Sequence, residues 1–334
     1  MVPGKLLILK DSTKMKLTFV YFLFSVALLA GITGCHRSAP SSPKAAQKND
    51  KKAGPKIVQL PEVPELLTSE KDRAAYLAAH YWDLYNFKDT VILYNYERIE
   101  DAYANFLQLL PHIPFGQAKA ALTRLMDAAT ANKTVFRFFI DLSQKYLYDP
   151  NSPYQNEAFY IPVLRYLIAS PELRDIYKTR YRYQLKMALK NQPGNTAADF
   201  VYTLKSGEKQ KMSAIRAAYT LLFFNNPDCH DCREVKDYMS TSAVINKFVK
   251  QKTGGIVKLA VLAVYIDQDL AIWEKAAYPG FMINCYDAGQ VIQKKELYNL
   301  KAIPTMYLLD KNKKVILKDV PVKAIEAYLA SMAQ

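Results

Sequence analysis

The sequence is poor in cysteine, histidine, tryptophan and glycine. Four cysteines in 334 residues are too few for a small disulfide scaffold. Eleven glycines exclude a collagen-like repeat, and a hydrophobic share of 50% excludes a disordered chain. The patterns G-x-x-x-x-G-K-S/T, G-x-G-x-x-G, H-E-x-x-H and G-x-S-x-G are absent, which removes the usual sequence support for nucleotide, zinc-protease and α/β-hydrolase chemistry. The histidines are His36, His80, His112 and His230, and nothing points to a Ser–His–Asp arrangement. No fixed period favours a repeat solenoid. A concentrated basic stripe is missing too. Of the net charge of +14, residues 1–34 carry +3 and residues 35–56 carry +5, leaving +6 over the remaining 278. Phosphate binding needs a denser basic footprint, so no nucleic-acid partner is expected.

The longest apolar run near the start, Leu17 to Ala30, has fourteen residues behind Met15-Lys16. A bilayer span takes about 20, so the run fits the core of a secretory signal better than a permanent anchor. Ile32-Thr33-Gly34-Cys35 follows and resembles a bacterial lipobox, which implies lipidation of Cys35 and a signal peptide over 1–34. An uncleaved anchor or an ordinary signal with a chance cysteine remain alternatives, and either Met1 or Met15 is the start. Residues 35–59 read as a flexible tether rich in Ser, Pro, Ala and Lys. A mature chain of this kind hangs in an oxidising compartment outside the cytoplasm. His36 stands where an Asp would favour inner-membrane retention in bacterial lipoproteins, so the resemblance leans to the outer membrane, facing the periplasm.

Residues 60–192 read as an all-α domain of unknown role. Ser69 before Glu70-Lys71-Asp72 is a capping start. Tyr76, Leu77, Tyr81, Leu84 and Tyr85 then recur at helical spacing. Stretches 99–110, 118–129, 134–146, 160–168 and 172–189 repeat the pattern, punctuated by Pro111, Pro114, Pro150, Pro153 and Pro171. Fourteen of the 24 tyrosines fall between Tyr76 and Tyr183. They line either a surface for peptide or glycan, or a core whose hydroxyls reach water.

After Gln192-Pro193-Gly194 the period changes. Runs at 199–204, 219–224, 256–266, 305–309 and 315–317 read as strands, and 322–332 as a closing helix. Alternating strands and helices define an α/β architecture for residues 193–334.

Cys229-His230-Asp231-Cys232 follows the apolar run Tyr219–Phe224, with Asp228 expected to cap a helix beginning at Cys229. Helix N-terminal amides aimed at the first sulfur favour its thiolate. Cys229 is therefore the expected nucleophile and Cys232, one turn further in, the resolving thiol. A zinc site needs a second ligand pair that the sequence does not offer, so no metal and no cofactor are expected. A purely structural disulfide is the remaining alternative. Ile303-Pro304-Thr305 stands directly before the strand-like run at 305–309.

These segments together, LLFFNNPDCHDC, VYIDQD at 264–269 and IPTMYLLDKNKKVI at 303–316, resemble the TlpA/ResA-like branch of the thioredoxin family over residues 193–334. The resemblance implies a central mixed sheet flanked by helices. It implies thiol–disulfide exchange with protein thiols and disulfides, recharged by an upstream electron donor. It makes His230, Asp231, Ile303, Pro304 and Glu234 the supporting residues of the site, with Pro304 packing beside the disulfide. Departures are plain: Asp228 replaces a common Trp, Phe223 stands where a buried acid often sits, and Glu234 has a different offset from the branch's usual Glu. The proton acceptor for Cys232 is thus unassigned. Cys285 is either a third redox thiol or a small buried apolar residue. The competing functional class is a non-enzymatic, lipid-anchored binding module on a thioredoxin-like scaffold.

Overall fold

The computed structural model describes residues 58–90 and 96–333. Cys35, the signal segment and most of the tether lie outside the described residues.

Among the described residues six α-helices come first: α1 Glu70–His80, α2 Tyr96–Leu109, α3 Phe115–Ala129, α4 Lys133–Ser143, α5 Glu157–Ala169 and α6 Asp175–Ala188. Their starts are written in the sequence. The Ser69 hydroxyl accepts from the Asp72 amide, Asn132 Oδ1 from the Thr134 and Val135 amides, and Asn156 Oδ1 from the Phe159 amide, each satisfying donors a helix start leaves open. Apolar residues at spacings of three and four then build one core of Trp82, Tyr103, Phe106, Leu122, Phe136 and Phe139. Trp82 and Phe139 meet edge-on at 5.2 Å between ring centroids.

The tyrosine enrichment divides. Tyr103 and Tyr160 lie in the core, but their hydroxyls do not reach water. Tyr103 bonds the Ser143 hydroxyl at 2.9 Å, and Tyr160 donates to Gln184 Oε1 at 3.1 Å, because a buried hydroxyl without a partner is costly. Tyr96, Tyr177 and Tyr183 are exposed.

The sheet part has eight strands: β1 Val201–Leu204, β2 Lys209–Lys211, β3 Ala217–Asn225, β4 Lys252–Thr253, β5 Ile256–Tyr265, β6 Met282–Tyr286, β7 Thr305–Asp310 and β8 Val315–Lys318. Their order is β2-β1-β6-β5-β3-β7-β8, with β4 folded back on β5. β3, β5 and β6 run parallel, whereas β7 is antiparallel to β3 and β1 to β6. The sheet is therefore mixed, as expected. β3 is central, which explains why its sequence is continuously apolar rather than alternating.

Five helices complete this part: α7 His230–Thr241, α8 Ala243–Lys250, α9 Leu270–Lys275, α10 Val291–Lys294 and α11 Val322–Ser331. Leu221 and Phe223 share one core with residues of α7, α8 and α11. Their neighbours Leu222 and Phe224 share another with Phe200, Ile292 and Tyr298. The period-two alternation of β3 thus sorts residues between the two faces of the sheet. A polar seam joins the helical and sheet parts: Asn191 Nδ2 donates to the Leu297 carbonyl at 2.8 Å, and Lys186 pairs with Glu296 at 2.5 Å. Among the described residues no helix is long and apolar enough to cross a membrane.

Candidate active site

The site forms where β3 ends and α7 begins. Asn226 shapes the turn: its Oδ1 accepts from the Asp228 amide at 2.8 Å, and its carbonyl from the Cys229 amide at 3.1 Å. This geometry corrects the expected cap. Asp228 is not the N-cap, because the Asn226 turn places Cys229 there instead. The Cys229 sulfur takes the capping role, accepting from the Cys232 amide at 3.3 Å, and the helix starts at His230. The first sulfur therefore sits at the positive end of α7, where an anion is favoured.

Cys232 is one turn in and 2% exposed. Burial first, and then the hydrogen bond with Cys229, push its thiol far up, so it stays protonated while Cys229 faces solvent in part. Both are free thiols. From the other side of the sheet's end, the Ile303–Pro304 peptide is cis, and the Cys229 thiol lies 3.7 Å from the Ile303 carbonyl. Cys229, Cys232, Ile303 and the Pro304 turn thus come together.

The remaining supporting candidates point elsewhere. His230, Asp231 and Glu234 are exposed. His230 Nδ1 is 3.3 Å from Asp231, and its Nε2 3.8 Å from Glu234. Ligand atoms of these three lie within 4.8 Å of one another, but all three face water, where solvent screens their charges and leaves their mutual interactions weak. No carboxylate of this trio contacts Cys232. Cys285 is fully buried, its thiol 3.4 Å from the Ala263 carbonyl. It belongs to the core on the opposite face of the sheet from Cys232.

Three residues beside the site escaped the sequence. Asn225 ends β3 and is 2% exposed. Its amide donates to the Phe223 and Val264 carbonyls, leaving Oδ1 to accept from the Tyr278 hydroxyl at 2.7 Å. Tyr278 packs on the core that contains Cys232, and burial, with Cys232 next, pushes its hydroxyl up. Lys236, one turn beyond Cys232 on α7, donates to the Ala277 carbonyl at 3.1 Å. The only sequence signal was a polar residue closing an apolar strand; Tyr278 is 53 positions away from it.

A thioredoxin-like protein from Bacteroides caccae, known from its crystal structure, is 42% identical. The match covers 83% of this chain and 99% of that one, with a TM-score of 0.79. The chain belongs to the thioredoxin-like family. The C-terminal domain of an uncharacterized protein from Bacteroides fragilis is 46% identical over 42% of this thioredoxin-like chain and 98% of that one, with a TM-score of 0.40. A domain of unknown function, DUF5106, matches residues 35–191, which takes in all six helices of the first part. No curated protein matches the chain.

Proposed function

We propose that this thioredoxin-like protein is an extracytoplasmic thiol–disulfide oxidoreductase of the TlpA/ResA-like kind, held to the outer membrane through a lipid on Cys35 and facing the periplasm. One observation carries the chemistry: the Cys229 sulfur is the N-cap of α7, 3.3 Å from the Cys232 amide, with a buried Cys232 behind it.

The exchange runs in two displacements. The Cys229 thiolate attacks one sulfur of a client disulfide, and the client's other sulfur leaves as a thiolate and takes up a proton. Cys232 then loses its proton and attacks the Cys229 sulfur. The Cys229–Cys232 disulfide forms, and the client's first sulfur leaves. The client gains two electrons, the pair loses two, and a dithiol donor upstream restores it. The Ile303 carbonyl beside Cys229 and the Pro304 turn border the groove a client strand would enter. The lipobox-like Ile32-Thr33-Gly34-Cys35 and the polar tether support the location.

Insulin reduction by the full chain with dithiothreitol as donor tests the activity, and Cys232→Ser tests the route. Turnover by wild type, and Cys229-linked client adducts that accumulate in Cys232→Ser, are expected. Absence of both overturns the reading.

A further inference from the structure

Besides the seam at Glu296 and Leu297, the first part of the chain reaches the segment before the active-site turn around the start of α5. Asn156 caps α5 and so sets Glu157 in its first turn. Glu157 Oε1 accepts from Asn299 Nδ2 at 2.7 Å, and its other oxygen pairs with Lys318. Lys318 in turn donates to the Ala188 and Lys190 carbonyls, both at 2.7 Å. Gln155 Nε2 donates to Asp319 Oδ2 at 3.2 Å. Asp319 stands 3.7 Å from Lys301, whose ammonium lies 4.8 Å from the centre of the Tyr148 ring. The side chains of Glu157, Lys318 and Lys301 are 10%, 4% and 8% exposed. Asn299 and Lys301 belong to the segment that ends at Ile303 and Pro304, and the Ile303 carbonyl faces Cys229.

Polar groups this deep hold their geometry, because breaking one contact strands its partner without water. We propose that Glu157 is a positioning residue for the segment 299–304, so that the helical part holds the Ile303 carbonyl against Cys229 and is a working component of the site. The importance of that contact for turnover rests on the thiol–disulfide reading; the contact itself does not.

The test uses the full-length reduced protein with Glu157→Ala and Glu157→Gln, read by hydrogen exchange and by the rate of Cys229 alkylation with iodoacetamide at pH 7. For Glu157→Ala, exchange of a peptide covering 297–306 rises about tenfold, while a β5 peptide covering 260–265 stays unchanged. Cys229 alkylation rises about threefold as the thiol loses its carbonyl acceptor. Gln keeps an acceptor for Asn299 and falls between. Should Glu157→Ala not fold, Asn299→Ala removes the same bond from the loop side and leaves the Glu157–Lys318 pair in place; the same changes are expected of it. Unchanged loop exchange and alkylation, or loop exchange that rises only in step with β5, overturns the inference and makes Glu157 merely structural. Wild-type insulin turnover decides the proposed function separately, so the two fail independently.

Discussion

The Cys229 thiol and the Ile303 carbonyl meet at 3.7 Å across 74 positions of sequence. The start of α7 delivers the sulfur and the turn before β7 delivers the carbonyl. β3 and β7 pair antiparallel, with Phe224 opposite Thr305, and this pairing brings the two loops to the same end of the sheet.

Burial separates the two thiols chemically. In the reduced protein at pH 7.5, iodoacetamide is expected to label Cys229 at least tenfold faster than Cys232, whose thiol is pushed up by desolvation. Peptide mass mapping over time checks this. Equal labelling would mean that Cys232 is open to solvent.

Cys285→Ala should leave insulin turnover within twofold of wild type, because Cys285 packs on the opposite face of the sheet from Cys232. A larger loss of turnover, with an unchanged melting temperature, would give the third thiol a redox role.

Tyr278→Phe removes the donor to Asn225 Oδ1 at 2.7 Å and leaves a buried acceptor unpaired. The expected cost is about 1–3 kcal/mol, measured by urea unfolding. No loss of stability would show that water or another donor replaces the hydroxyl.

Glu326 ties α11 to the junction of α7 and α8 by accepting from the Ser242 and Tyr238 hydroxyls. Those two bonds hold its carboxyl below the ordinary 4.5. A depressed folded value means the stabilisation is present above about pH 4.5 and is lost as pH falls through the folded value. Glu326→Gln should therefore destabilise by roughly 1 kcal/mol at pH 7, the site being only partly buried, and by less at pH 3. Melting curves of both proteins at the two pH values decide it; a gap that does not narrow in acid contradicts the assignment.

Phe139 is fully buried among Trp82, Phe87 and Tyr103. Phe139→Ala should cost about 3–5 kcal/mol through the cavity it leaves, read by chemical denaturation.

Much of this architecture was legible along the chain, because local signals carry it. Ser69, Asn132 and Asn156 mark helix starts through side-chain caps, the apolar spacing marks buried faces, and Cys-x-x-Cys after an apolar strand marks a thiol pair at a helix mouth. Only the tertiary structure decided which groups surround that pair. The cap passed from Asp228 to Cys229 because the Asn226 turn fits there. Asn225 found Tyr278, Glu157 found Asn299 and Lys318, and Glu234 was left on the solvent side of α7. Such partners are set by how helices and strands pack over tens of residues, and a spacing rule for one helix or strand holds no information about that.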